Sequence, residues 1–198
     1  MKKITRIASI FLSLALIFSA AACGKDGSGA VLSYPIAAQP DCLDPQIAQG
    51  AEAKTVVLNC FEGLVRKDAE GKYSPAAAKS WSYDASTLTY TFKLRDDARW
   101  VIMKKAFKPI LGDNIDKTFD SRVTAADFVF ALRRAVAPAT GAPEALSLGV
   151  IKNAKSIING KMSSDKLGVQ AVGDFELRIT LESATDESAF LDLLTKAI

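Results

Sequence analysis

The sequence predicts an α/β or α+β domain with mixed strand pairing, because segments with strand periodicity and segments with helix periodicity alternate along the chain. The clearest strand is 88–95, where every second residue is apolar and the residues between are polar or charged. The clearest helix begins after Thr124, carries Asp127 in the capping-box position and is stopped by Pro138. The buried face of the strand would consist of Leu88, Tyr90, Phe92 and Leu94.

The amino-terminal half of the domain contains three further predicted elements. Segment 31–37 has strand character, and a Pro- and Asp-rich turn follows it. Segment 53–61 has an apolar helical stripe that Gly63 is placed to end. Segments 64–67 and 72–73 flank a glycine-containing turn, which predicts a β-hairpin.

The carboxy-terminal half predicts two helices and a second hairpin. A helix is expected at 151–159, and a hairpin joins 168–172 to 175–182 through a Gly-Asp turn. The last helix, 188–198, has an apolar face for which the preceding sequence suggests no partner. We therefore expect an amino-terminal fragment of a longer protein that is marginally stable alone.

Residues 1–22 have the pattern of an export signal. A basic start precedes an apolar run from Ile7, which is shorter than the roughly 20 residues that span a bilayer and ends in small residues. The Ala-Ala-Cys-Gly junction at Cys23 resembles a lipobox, although Ala20 stands where that pattern favours leucine. The alternative is an ordinary secretory signal cleaved near Ala22, with Cys23 unmodified.

Segment 23–30 is predicted to be a flexible, lipid-anchored linker. It is polar and glycine-rich, and two or three acyl chains on Cys23 would hold the protein stably on the membrane. The expected location is therefore the extracytoplasmic face of the cell membrane.

Composition argues against several classes of function. The chain has 25 basic and 22 acidic residues, and removal of the three basic residues in the signal leaves 22 of each sign. Such a neutral protein, without Lys/Arg clusters, lacks the electrostatic footprint of a nucleic-acid-binding protein. The chain has no histidine, no phosphate loop and no nucleophile paired with a base, so we expect no enzyme, no cofactor and no metal site.

Two cysteines besides Cys23 remain in an oxidising compartment. Cys42 and Cys60 could form a disulfide, or could be two small buried apolar residues, and the sequence leaves both alternatives open.

Several segments in order resemble the oligopeptide- and dipeptide-binding proteins of ABC importers, the extracellular solute-binding proteins of family 5. The resemblance extends over 31–198 and implies part of the first lobe of a periplasmic-binding-protein-like (type II, dipeptide-binding-protein-like) α/β fold. In that lobe helices would flank a mixed sheet, and the lobe would be incomplete. The segments that carry it are 39–46, 59–65, 74–81 (like "P-x-x-A-x-S-W"), 90–95 (like "Y-T-F-x-L-R") and 123–128 (like "V-T-A-x-D-F").

The resemblance implies a receptor that binds short peptides and delivers them to a membrane permease driven by ATPase subunits. In that family the first lobe holds the ligand partly through main-chain hydrogen bonds, as in strand addition. The family segment that makes these bonds comes shortly after Leu-Asp-Pro. Matched without a gap, it falls on Gln49, Gly50 and Ala51, and Gly50 would let a ligand backbone approach closely. The alternative is an ordinary loop before the helix at 53–61.

The sequence departs from the family at two places. Glu144 follows the Pro138–Pro143 turn, where some oligopeptide-binding members have an aromatic ligand contact. Segment 101–122 replaces a short turn, and we interpret it as a surface insertion rather than a specificity loop, because loop-closure cost grows slowly with length.

Two alternative functions remain open from the sequence. The same fold could bind a nickel chelate or another small molecule, although the lack of histidine weakens a histidine-ligated nickel site. A lipid-anchored sensing or adhesion module is the other alternative.

If Cys23 is the lipid attachment site, metabolic labelling with a palmitate analogue should mark the wild-type protein and fail on Cys23→Ser, because the thiol is the acceptor. Equal labelling of the two proteins would contradict this prediction.

Overall fold

The computed structural model describes residues 33–103, 108–110, 112 and 119–196, and helices and strands alternate along them. Short 3-10 helices occupy Pro138–Thr140, Ala145–Val150 and Ser164–Lys166. The α-helices and strands are α1 (Ala51–Cys60), β1 (Val65–Lys67), β2 (Tyr73–Pro75), β3 (Ala78–Asp84), β4 (Thr89–Leu94), α2 (Ala125–Val136), α3 (Ala154–Ile158), β5 (Val169–Ala171), β6 (Glu176–Thr180) and α4 (Glu187–Leu193).

The main sheet has four strands in the order β3-β4-β6-β5, and β1 and β2 form a separate hairpin. Both predicted hairpins are confirmed, and Gly71 in the first turn has the positive φ of 83° that favours glycine. Mixed pairing was expected, but every strand pair in the described residues is antiparallel. The connection through α2 and α3 is long, yet it returns the chain so that β6 runs opposite to β4.

The core is built on one face of β4. Tyr90, Phe92 and Leu94 are at most 1% exposed, as the alternating pattern predicts. The strand begins at Thr89 rather than at Leu88, because Leu88 lies in the turn with φ of 53°. On β6, Leu177 pairs with Phe92 and Ile179 with Tyr90, and both β6 residues are fully buried.

Helix α2 has the predicted start, face and end. The Asp127 carboxylate accepts the Thr124 backbone N–H at 2.7 Å, which completes the capping box. Phe128, Leu132 and Ala135 are buried in the same core cluster as β4. The helix ends at Val136, close to the proline that was expected to stop it.

The prediction that the last helix has an unpartnered apolar face is wrong. Phe190 and Leu194 are fully buried, and the Phe190 ring lies 4.7 Å from the Tyr90 ring. The Val65 N–H donates to the Leu194 carbonyl at 3.3 Å. A Cβ on Gly63 would lie 2.4 Å from the same carbonyl, so this close packing requires glycine. The face is therefore covered by β4 and by the segment that follows α1.

Three other boundaries differ from the sequence expectations. Residues 33–36 of the expected strand at 31–37 have no ladder hydrogen bonds and are exposed. The first two residues of that segment lie outside the described residues. Helix α1 begins at Ala51, two residues before the expected start at residue 53. The helix expected at 151–159 is only α3, because Ile151 forms an antiparallel bridge with Leu181.

The insertion at 101–122 leaves and rejoins the domain at adjacent points. The Trp100 N–H donates to the Ser121 carbonyl at 2.7 Å, and the Val123 N–H donates to the Ala98 carbonyl at 3.1 Å. Much of the segment lies outside the described residues. Its ends are held side by side, which is the geometry that a surface insertion requires.

The predicted signal peptide 1–22, the lipid-anchored linker 23–30 and Cys23 lie outside the described residues, so they stay predictions. Among the residues that the structure does describe, no helix is both long enough and apolar enough to cross a bilayer.

Phe190→Ala should lower the free energy of unfolding by about 3–5 kcal/mol, because it removes a fully buried aromatic ring from the core. The matched control is Phe130→Ala on α2, where the side chain is 69% exposed and the expected change is below about 0.5 kcal/mol. Urea-unfolding curves measure both. Equal effects would contradict the burial of α4.

Candidate functional site

The predicted ligand-binding residues Gln49, Gly50 and Ala51 lie at the start of α1. Ala51 is the first helical residue and Gly50 is the N-cap, and all three residues are exposed. Within the described part of the chain, none of their backbone N–H groups has a hydrogen-bond partner. The structure therefore places three consecutive free main-chain donors together on the surface.

Gly50 is not required by the conformation of the chain. Its φ of −63° and ψ of 151° are accessible to any residue. A Cβ at this position would meet only the Glu52 Oε2 atom, at an ordinary distance of 3.6 Å. A glycine here leaves the backbone open to an approaching group without serving the fold.

An ion pair holds the segment that precedes this site. Arg134 on α2 donates from Nη2 to Asp44 Oδ2 at 2.5 Å and from Nη1 to Asp44 Oδ1 at 3.0 Å. The two side chains are 35% and 29% exposed. The hydrogen bond from the Arg134 guanidinium holds the pKa of Asp44 below its usual value.

Gln46 ties the same turn to α2 a second time. Its Oε1 accepts from Arg134 Nη1 at 2.7 Å, and its Nε2 donates to the Ala131 carbonyl at 2.7 Å. The Ile47 and Ala48 N–H groups donate to the Asp44 carbonyl at 3.2 and 2.9 Å. We call residues 44–48 with Arg134 the clasp. Gln49 and Gly50 are all that separate the clasp from α1.

A groove with a cavity volume of about 410 Å³ lies beside the segment 49–51. Its lining is mainly apolar, and Gln49 is part of it. The volume is within the range of small-molecule and side-chain sites. The apolar part of the lining includes Pro45, Val57, Leu58, Pro143, Leu148 and Leu193.

Glu144, the residue that departs from the family pattern, also lines this groove. It forms an ion pair with Lys196, and the hydrogen bond from that ammonium group, with a smaller contribution from the charge of Lys54, lowers the pKa of Glu144. Both members of the pair are about half exposed. The groove thus combines an apolar floor with a neutralised ion pair.

A second, wider depression of about 770 Å³ lies over the polar face of the main sheet. Thr89, Thr91 and Thr180, from the outward face of the strands, form part of its lining. Gln49 does not line it, so it is not the site that the sequence indicates.

Cys42 and Cys60 are both free, so the suggested disulfide is not formed in this structure. Cys60 is exposed and Cys42 is half-buried, so Cys60 is not the small buried residue of the alternative interpretation either. Among the described residues, no group of three or more His, Cys, Asp and Glu side chains is placed to hold a metal ion.

Sequence reasoning proposed the segment 49–51 as a ligand contact, and this stays a prediction; it did not include the clasp. Asp44 and Gln46 were visible as part of a Pro-rich turn, and Arg134 as a polar position on a helix. Nothing in a single sequence signals that the Asp44 and Arg134 side chains meet, because 90 positions separate them.

Three comparisons with known proteins bear on this geometry. The family model for bacterial extracellular solute-binding proteins, family 5 Middle, matches residues 72–198. The periplasmic oligopeptide-binding protein OppA of Haemophilus influenzae is 41% identical over 140 residues, which are 70% of this chain and 23% of that protein. The probable deoxycholate-binding periplasmic protein YgiS of Escherichia coli is 36% identical over 154 residues, 77% of this chain and 26% of that protein.

A solved structure resembles the fold as well. The Haemophilus influenzae OppA complex with the peptide RPPGFSPFR matches with a TM-score of 0.63 and 36% identity, covering 80% of this chain and 28% of that chain. The present chain thus spans about a quarter of the length of the curated relatives it matches.

Asp44→Asn should lower the stability of the chain at neutral pH by about 1 kcal/mol, since the pair is partly exposed. The folded-state pKa of Asp44 is depressed, so the ion pair stabilises the fold above the ordinary aspartate range. Its contribution is lost as the pH falls through the depressed value. The difference between wild type and variant should therefore close in acid, which urea midpoints over a pH series would measure.

The matched control for this prediction is Asp97→Asn, where the side chain is 80% exposed. It should unfold like the wild type at every pH. A gap between wild type and Asp44→Asn that persists unchanged into strong acid would show that the charge of Asp44 is not the cause.

Proposed function

The chain belongs to the bacterial extracellular solute-binding proteins of family 5, and from this premise we propose that it forms part of a receptor for short peptides. The receptor would pass its ligand to an ABC import permease and its ATPase subunits. Residues 31–198 would be the amino-terminal part of the first lobe, and chain outside this sequence would complete the receptor, as the greater length of the relatives suggests.

The observation that carries this proposal is the row of free N–H groups at Gln49, Gly50 and Ala51. A peptide backbone supplies carbonyl oxygens at regular spacing, so an extended ligand could accept hydrogen bonds from this segment. Such bonds do not depend on the ligand's side chains. A receptor that uses them binds many sequences with similar affinity.

We further propose that the receptor works outside the cytoplasm. The pattern of residues 1–22 and the lipobox-like junction at Cys23 support export and lipid anchoring, with segment 23–30 as a tether. Relatives that are named periplasmic support the compartment.

A second candidate ligand is a small apolar acid. The Escherichia coli relative is named a probable deoxycholate-binding protein, and the groove beside Gln49 is mainly apolar. That proposal predicts binding in the groove without use of the free N–H groups.

Calorimetric titration separates the two candidates. We use the name complete receptor for the protein that carries this sequence and has the length of the relatives. It should bind short peptides with micromolar affinity and little sequence preference. One lobe makes about half of the contacts, and half of a ~8 kcal/mol interaction leaves only millimolar affinity. The 198-residue chain should therefore show no measurable binding. A complete receptor that binds deoxycholate and ignores peptides would favour the second candidate.

In the complete receptor, Gly50→Val should weaken the binding of every peptide by a similar factor, because the new side chain obstructs a main-chain approach. It should not destabilise the protein, since a Cβ at Gly50 meets only ordinary contacts. Ala85→Val, at an exposed position in the turn between β3 and β4, is the control and should leave binding unchanged. A loss confined to one peptide sequence would show that Gly50 lies off the shared backbone contact.

A further inference from the structure

We propose that Arg134 is a positioning residue, which acts through Asp44 and Gln46 to hold the segment 49–51 in the geometry that a ligand backbone needs. The inference rests on the proposed function, since it concerns the same segment. It adds a residue that lies on a different helix and whose side-chain hydrogen bonds in the described structure go to Asp44 and Gln46, and not to a predicted ligand-binding residue.

The segment 49–51 is short and fixed at both ends. On one side, Ala48 is held by its hydrogen bond to the Asp44 carbonyl at 2.9 Å. On the other side, α1 is anchored by the buried residues Ala53 and Val57, and Lys54 N–H donates to the Gly50 carbonyl at 2.9 Å. The position of the free N–H groups therefore depends on where the clasp places residue 48.

Arg134 connects that turn to the core. It lies on α2, between the buried residues Leu132 and Ala135, so its backbone is held rigidly by the packing of the helix. Its guanidinium makes one hydrogen bond to each Asp44 oxygen and a third to Gln46 Oε1. A side chain fixed at its base and bonded at three points transmits the position of α2 to the loop.

The exposure of the pair argues for positioning rather than for a large contribution to folding. Arg134 and Asp44 keep 35% and 29% of their side chains in contact with solvent, and ion pairs at such sites add little stability. Ligand affinity is more sensitive, because a small displacement of the donors misaligns several hydrogen bonds at once.

Lysine cannot replace arginine in this role. An ammonium group is a single point of charge, whereas the planar guanidinium reaches both Asp44 oxygens and Gln46 in one fixed geometry. Arg134→Lys therefore keeps the charge and removes the geometry. Arg133→Lys is the matched control. Arg133 is the neighbour of Arg134 on α2, and its one hydrogen bond among the described residues goes to the Asp165 carbonyl, at 3.1 Å, rather than to the clasp.

The test compares peptide binding by the complete receptor and its variants, with thermal unfolding measured on the same samples. Arg134→Lys should weaken binding roughly tenfold, by the same factor for peptides of different sequence, with a small change in melting temperature. Arg133→Lys should bind like the wild type. Unchanged affinity in a folded Arg134→Lys protein, or a loss for one peptide only, would overturn the inference.

Hydrogen–deuterium exchange without ligand supplies an independent measurement. In Arg134→Lys and in the milder Asp44→Asn, the amides of residues 46–48 should exchange faster, whereas those of the core strand β4 should not change. Faster exchange everywhere would indicate general destabilisation and would overturn the inference. A wild-type complete receptor that binds no peptide would instead contradict the proposed function, so the two failures are distinguishable.

Discussion

Burial of one face of β4 is the constraint on which the rest of the structure depends. Tyr90, Phe92 and Leu94 form the floor of the core, β3 and β6 flank the strand, and α2 and α4 bury their apolar faces in the same cluster. Since a shift of one residue would turn every one of these side chains to solvent, the register of the sheet is strongly fixed. Helix α2 packs its apolar face on the sheet that this register defines. That packing sets the position from which Arg134 reaches Asp44.

The candidate site uses backbone groups that the fold leaves free. Buried N–H groups are almost always paired, and the first N–H groups of a helix are an exception only where solvent or a ligand can satisfy them. Among the described residues, no side chain caps these groups at the start of α1, and Gly50 adds no Cβ to cover them. The capped start of α2, where Thr124 and Asp127 bond each other, shows the contrast within one chain. An uncapped start beside a groove is therefore available for recognition.

Local patterns predicted the elements whose sequence carries its own signal. The alternation in β4, the capping box of α2 and the glycine turns of both hairpins are short-range features, and the structure has them. Two of the errors share a cause, which is that contacts between residues distant in sequence decide them. Phe190 packs against Tyr90, and Ile151 forms a β-bridge with Leu181. The clasp is of the same kind, so single-sequence reasoning reached the segment 49–51 but not what holds it.

The two parts of the site favour different kinds of selectivity. In the proposed receptor, hydrogen bonds to the N–H groups of 49–51 would be indifferent to the side chains of a peptide, whereas the groove would distinguish them by size and polarity. Glu144 is paired with Lys196 and both remain in contact with water, so the remaining charge of the groove lining comes from Lys54. An aromatic residue at position 144 would have offered a stacking surface, but a solvated ion pair offers neither stacking nor a strong net field. Apart from the charge of Lys54, shape and apolar area are then the main means by which this groove could discriminate between ligands, and they discriminate weakly between apolar side chains of similar size.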